Sequence, residues 1–198
     1  MSETVTTAKD AVAAIGPGRL VLVVGPSGAG KDTLLRLAQA ACADDHHVVF
    51  PRRIVTRASS VDEDNIAVSP EEFARSCDHG DFAVHWDAHG HSYALPREIN
   101  DDIRAGRSVV ANVSRTVIAA LRKVYANVVV VAVTAPPDVL AQRLAARARN
   151  SDGNIADRLA RSIDDASAKA DVTILNAGSA DYHGRQLVRV IRNEGWRE

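Results

Sequence analysis

Short unbroken apolar runs along this chain alternate with segments whose apolar residues recur every three or four positions. The first run, Leu20 to Val24, is closed by Gly25-Pro26. A short run that is apolar at every position predicts a strand buried on both faces, as in a parallel sheet. From about Asp32 to Ala43 the period changes, and Leu34, Leu35, Leu37, Ala38 and Ala41 fall on one side of a helix. Further buried strands are predicted at Ser108–Val113 and Asn127–Thr134. The second of these, NVVVVAVT, is apolar on both faces and is expected near the centre of the sheet. Pro136-Pro137-Asp138 open another helix, since proline is tolerated in a first turn and an acidic residue there suits the helix dipole. Val172–Leu175 is the last predicted strand, and an amphipathic helix follows from about Asp181 to Arg192.

Strands and helices alternating in this way predict an α/β fold, a parallel sheet flanked by helices in three layers. Residues 1–18 read as a tail ended by the breakers Gly16, Pro17 and Gly18, and 19–198 as a single domain. Two stretches interrupt the rhythm and read as insertions over one end of the sheet. Residues 52–95 are polar, short-stranded and rich in His and Asp, and residues 143–161 are rich in Arg.

Composition narrows the function. With 198 residues, 46% of them hydrophobic, the chain fills one core without a disulfide or metal staple. Lys and Arg number 24 against 25 Asp and Glu, and aromatics make up 4%, which argues against a nucleic-acid partner. Cys42 and Cys77 stand in no metal-ligand spacing and read as reduced thiols. Neither a signal-peptide pattern nor a membrane-length apolar run is present, so a cytoplasmic protein without a membrane partner is expected.

The chemistry enters between the first strand and the first helix, where Gly25-Pro26-Ser27-Gly28-Ala29-Gly30-Lys31 stands. Glycines there let backbone N–H groups turn around a phosphate, the helix N-terminus adds its dipole, and Lys31 supplies a charge that follows the moving phosphoryl group. Asp32 occupies the position where this motif usually has the Ser or Thr that meets magnesium, and Thr33 comes next. Asp32 reads either as a magnesium ligand or as an acidic first-turn residue. His85, Asp87, His89 and His91 alternate, so on a strand they share one face. A polar hairpin turning at Gly90 is favoured there over a transition-metal site.

Beyond the phosphate loop, Ile54-Val55-Thr56-Arg57, Val68-Ser69-Pro70-Glu71-Glu72-Phe73, Gly90-His91-Ser92-Tyr93, Thr134-Ala135-Pro136-Pro137 and the pair Arg143 and Arg147 follow in order. Together these segments resemble the guanylate kinase group of P-loop nucleoside-monophosphate-kinase-like proteins, over nearly all the chain after the tail. The resemblance implies that 52–95 holds the acceptor's phosphate and that 143–161 is a lid closing over ATP.

The guanine-reading positions depart from that group. Ser60 stands for a phosphate-clamping arginine, Asn65 for a tyrosine, and Val84 for the glutamate on the guanine edge; Tyr93 is kept. Without that carboxylate the polar contact that selects the base is gone. Asn112-Val113-Ser114-Arg115 replaces an Asp-x-Asp, and with Gly30-Lys31-Asp32 and Arg53–Arg57 it resembles a narrower family, the ribose 1,5-bisphosphate phosphokinases of phosphonate catabolism.

That resemblance implies transfer from ATP, with Mg2+, to ribose 1,5-bisphosphate, giving 5-phosphoribosyl 1-diphosphate. It implies ATP binding by Gly25, Pro26, Ser27, Gly28, Ala29, Gly30, Lys31, Asp32, Thr33 and Arg143, and catalysis by Lys31, Arg143 and Arg147. Arg53, Thr56, Arg57, Tyr93, Asn112, Ser114, Arg115 and Arg158 are implied for the acceptor, Asp32 for magnesium, and Arg149 is a further lid arginine. The implied partners are ATP and a small sugar phosphate, in a monomer or homodimer. A guanylate or other nucleoside monophosphate kinase and an inert interaction module of the same fold are the alternatives. An inert module is disfavoured by the intact phosphate loop.

Overall fold

The computed structural model describes residues 13–57, 64–88, 90–148 and 170–194. The chain forms two compact units. One comprises residues up to Val21 together with His46–Val128, and the other Leu22–Asp45 together with Val129 onward. The first strand, β1 (Arg19–Val24), passes from one to the other and is buried from Leu20 to its end.

The unit around Leu22–Asp45 holds α1 (Lys31–Ala41), β8 (Val128–Thr134), α5 (Pro137–Ala148), β9 (Val172–Leu175) and α6 (Ala180–Ile191). β8 and β9 are parallel, with Val131 opposite Val172 and Thr134 opposite Leu175. α1 packs on α6 where Gly184 meets Leu37: a Cβ at Gly184 would stand 3.1 Å from the Leu37 Cβ. A side chain there would have to push Leu37 back by a few tenths of an ångström, so glycine suits the close approach of the two helices. Arg192 donates to the Ala41 carbonyl at 3.1 Å, satisfying one orphan acceptor at the end of α1.

The other unit holds β2 (Val48–Val49), β3 (Arg53–Val55), β4 (Asn65–Ala67), α2 (Pro70–His79), β5 (Phe82–Ala88) and β6 (His91–Pro96). After these come α3 (Ile99–Arg104), β7 (Ser108–Asn112), a 3-10 turn at Arg115–Val117 and α4 (Ile118–Val124). β2 and β7 pair in parallel. The order along the larger sheet is β2-β7-β1-β8-β9, so the apolar strand β8 is interior and β1 is the middle one. Ile15 already forms a parallel bridge to Tyr125, and Gly18 donates to the Ile103 carbonyl at 2.9 Å, so the chain is tied down before β1 begins.

The stretch read as an insertion is a second sheet, in the order β4-β3-β6-β5. Residues directly opposite in neighbouring strands share a face. Ile54 opposite Ala94 and His85 opposite Ala94 therefore define one face. Phe73 of α2 covers it, packing with Phe82, Ala94, Ile54 and Val68. α2 itself starts on a capping box, the Ser69 hydroxyl accepting from Glu72 N–H at 3.1 Å and the Glu72 carboxylate from Ser69 N–H at 2.8 Å. The opposite face carries Arg53, Val55, Asn65, Val84, Trp86, Tyr93 and Leu95.

Candidate active site

The loop from Gly25 to Gly30 joins β1 to α1, and three of its glycines have positive φ: Gly25 at 148°, Gly28 at 85° and Gly30 at 89°. At Gly25 the sequence has no alternative, because a Cβ would be driven into the Val133 carbonyl oxygen. Gly30 is the residue before the first turn of α1 and brings no side chain to cap it. A helix start without a side-chain cap suits an anion, which is the physical basis of a phosphate cradle. Lys31 arches back over the loop, its ammonium donating to the Gly25 carbonyl at 2.7 Å and the Pro26 carbonyl at 3.0 Å. Ala29 is fully buried and anchors the loop, while Ser27 and Thr33 are exposed and Asp32 is half-buried in the first turn.

Two residues distant in sequence brace this loop. Arg143 of α5 donates to the Gly28 carbonyl at 3.3 Å, the Ala29 carbonyl at 3.5 Å and the Asn176 carbonyl at 3.2 Å. Asn176, which follows β9, donates from Nδ2 to the Ala29 carbonyl at 2.8 Å. Its Oδ1 is buried without a hydrogen-bond partner among the described residues. A lone asparagine after an apolar strand carries no motif, and sequence reasoning missed it. The available signal was its position at the C-terminal end of a parallel strand, where α/β proteins place ligand-facing residues. Arg143 thus sits against the loop wall. The side chain of Arg147 and the whole of Arg149 and Arg158 lie outside the described residues, as does 149–161 of the expected lid.

In the other unit, the face of the small sheet opposite Phe73 collects cationic and aromatic side chains, among buried Val55, Asn65, Val84 and Leu95. The guanidinium carbons of Arg53 and Arg57 stand 5.9 Å and 6.0 Å from the centre of the Tyr93 ring. That distance is within cation–π range. Trp86, opposite Tyr93 in the pairing, stacks on it with ring centres 5.8 Å apart and planes 12° from parallel. Both rings are 8% exposed. Asn65 accepts from Arg53 Nε at 3.3 Å, and its backbone carbonyl accepts from Arg52 at 3.2 Å. Arg52 is in turn ion-paired with Asp64 at 2.6 Å. Sequence reasoning read Asn65 only as a lost tyrosine; here it holds an arginine in place.

Thr56 is engaged locally, its hydroxyl accepting from Ser92 N–H at 2.8 Å, which leaves its own proton to donate. Ser114 caps the 3-10 turn, accepting from the Thr116 hydroxyl at 2.9 Å and from Thr116 N–H at 3.4 Å. Half-buried Asn112 ends β7, and half-buried Arg115 starts the turn, which packs against β5.

The alternating histidines do not share one face. His85 lies on the α2-covered face, edge-on to Phe73 with ring centres 6.3 Å apart. Asp87 accepts from the Ser92 hydroxyl at 2.7 Å, and His89 lies outside the described residues. Alternation predicted one shared face, but register splits it: His85 and Asp87 lie on the face opposite Arg53 and Tyr93, whereas His91, paired with Ala88 across the hairpin, falls on the Tyr93 face. Burial pushes the Cys42 and Cys77 thiols up, so neither supplies a thiolate nucleophile near neutral pH.

The guanylate kinase family model matches residues 17–194. A relative in Bradyrhizobium diazoefficiens, ribose 1,5-bisphosphate phosphokinase PhnN, is 83% identical over the whole of both chains. One of the same name in Rhodopseudomonas palustris is 59% identical over 96% of each. Among solved structures, guanylate kinase from Anaplasma phagocytophilum superposes with a TM-score of 0.66 at 21% identity, covering 91% of this chain and 87% of that one, which speaks to the fold. No helix among the described residues is long and apolar enough to cross a membrane. A phosphate loop braced by Arg143 and Asn176, the small sheet's cationic face and these full-length relatives lead to one placement: the chain belongs to the guanylate kinase family and, within it, to the ribose 1,5-bisphosphate phosphokinases.

Proposed function

We propose that this protein is a cytoplasmic kinase that transfers the γ-phosphoryl group of ATP to ribose 1,5-bisphosphate, yielding 5-phosphoribosyl 1-diphosphate and ADP. The observation that carries the choice of acceptor is Val84. It is 2% exposed on the face that bears Arg53 and Tyr93, so the position matching the guanine-reading glutamate offers no hydrogen bond to a base. The same face offers guanidinium groups, which suit an acceptor with two phosphates and no base because they bind phosphate oxygens bidentately.

The nucleophile is an oxygen of the C1 phosphate, ionised at neutral pH, so no strong general base is required. Its bond to the γ-phosphorus forms as the bond from that phosphorus to the β-bridging oxygen breaks, and the electron pair leaves with ADP. Catalysis then rests on in-line positioning and on neutralising charge. The loop N–H groups and Lys31 hold the donor phosphates, with Arg143, Arg147 and Arg158 adding positive charge. Arg53, Arg57 and Arg115 hold the acceptor phosphates, with Thr56, Tyr93, Asn112 and Ser114 as polar neighbours. The half-buried carboxylate of Asp32, a hard oxygen donor beside the loop, fits Mg2+, which when bound would offset phosphate charge.

Phosphorus NMR of the protein with ATP, Mg2+ and ribose 1,5-bisphosphate tests this. The expected result is a coupled pair of diphosphate resonances on the sugar, in step with ADP. Release of inorganic phosphate without a sugar diphosphate contradicts it.

A further inference from the structure

We infer that Trp86 sets the size of the acceptor, by filling with its own indole the space where a nucleobase would lie. The inference rests on the acceptor reading above and goes beyond it. Loss of a guanine-reading carboxylate explains why guanine is not selected, but not why other bases would stay out.

Three observations carry it. Pairing register puts Trp86 on the same face as Arg53, Asn65, Val84 and Tyr93, since it stands directly opposite Tyr93, which stands opposite Val55. The indole runs beside the Tyr93 ring, 12° from parallel with ring centres 5.8 Å apart, so a flat ring already flanks the aromatic surface on which a base would stack. Both rings are 8% exposed, so this part of the face is packed and not an open slot. Around the same Tyr93 ring stand the Arg53 and Arg57 guanidinium groups. The face is therefore divided: cationic groups remain for phosphates, and the place for a flat heterocycle is closed. A pentose bisphosphate needs the first and not the second. Trp86 thus acts by exclusion, as a steric element built against the wrong acceptors.

The test compares the protein with Trp86→Ala and Trp86→Leu. For each, calorimetric titration with GMP, AMP and CMP is set beside kcat/KM for ribose 1,5-bisphosphate, with thermal melting to confirm the fold. Removing a buried indole endangers folding, and Trp86→Leu, which keeps apolar volume there, decides if Trp86→Ala does not fold. The expected result is that at least one purine monophosphate gains affinity by about tenfold or more, the scale on which an apolar pocket discriminates by size. A parallel loss for every acceptor, with no nucleotide gaining, would mean that Trp86 is only a packing residue and overturns the inference. If the unaltered protein itself prefers GMP to the sugar bisphosphate, the acceptor reading fails instead, so the two failures are told apart.

Discussion

The loop after β1 presents its chemistry within seven consecutive residues, Gly25 to Lys31, and mostly with backbone groups. The face of the small sheet opposite Phe73 collects its chemistry from β3, β4, β5 and β6, and entirely with side chains. Backbone N–H groups are the same whatever the residue, so what the loop demands of the sequence is conformational. It needs glycine where φ is positive and where the Val133 carbonyl leaves no room for a Cβ. The sheet face demands particular heads at particular register positions, and changing one head changes what binds. A donor site built from backbone tolerates little change, whereas an acceptor site built from side chains can be re-aimed by single substitutions such as those at Asn65, Val84 and Trp86.

If that division holds, substitutions in the two places separate in their kinetics. Lys31→Ala removes the one mobile charge of the loop and is expected to lower kcat by about 10²–10³-fold, the range for loss of one transition-state charge partner. The melting temperature should change little, since the ammonium donates to two carbonyls of its own loop. Stopped-assay turnover and a thermal melt check both halves, and full turnover would remove the loop from the mechanism. Gly25→Ala forces a Cβ toward the Val133 carbonyl at a strained φ and should destabilise by about 1–3 kcal/mol while abolishing ATP binding. Denaturant unfolding and nucleotide titration measure the two effects.

Asn65→Ala releases Arg53 Nε and should raise KM for the sugar bisphosphate about tenfold, in keeping with loss of one charge-assisted hydrogen bond, with KM for ATP unmoved. A matching rise in both constants would break the comparison. The smallest effect is expected at Glu72, whose carboxyl is held below the usual range by the Ser69 N–H and hydroxyl. Because the native value is depressed, its stabilisation is present above the ordinary glutamate value of about 4.3 and is lost as pH falls through the lower native value. Glu72→Gln should flatten that part of the acid limb of a melting-temperature profile and leave neutral-pH activity intact.

How far the sequence could be read follows the same division. The phosphate loop was legible because its requirements are local, and the buried strands because runs apolar at every position need cover on both sides. β9 falls at Val172–Leu175 as its pattern predicts. Asn176 was not legible, because its task is set by the Ala29 carbonyl, far away in the chain. Nor was the docking of Arg143, read as a lid residue, against Gly28, Ala29 and Asn176. On the small sheet, alternation shows which residues share a face but not which face α2 packs on. Register and the cover supplied by Phe73 decide that, which is why His85 drew attention and Trp86 did not.

The central claim is that the acceptor face is built for a small bisphosphate and not for a nucleotide. Its most direct test is the ratio of kcat/KM for ribose 1,5-bisphosphate to that for GMP, under the same ATP and Mg2+. The account predicts a ratio well above one, with GMP near background. A ratio below one would contradict it, and would mean that Val84, Asn65 and Trp86 leave the base a place on this protein after all.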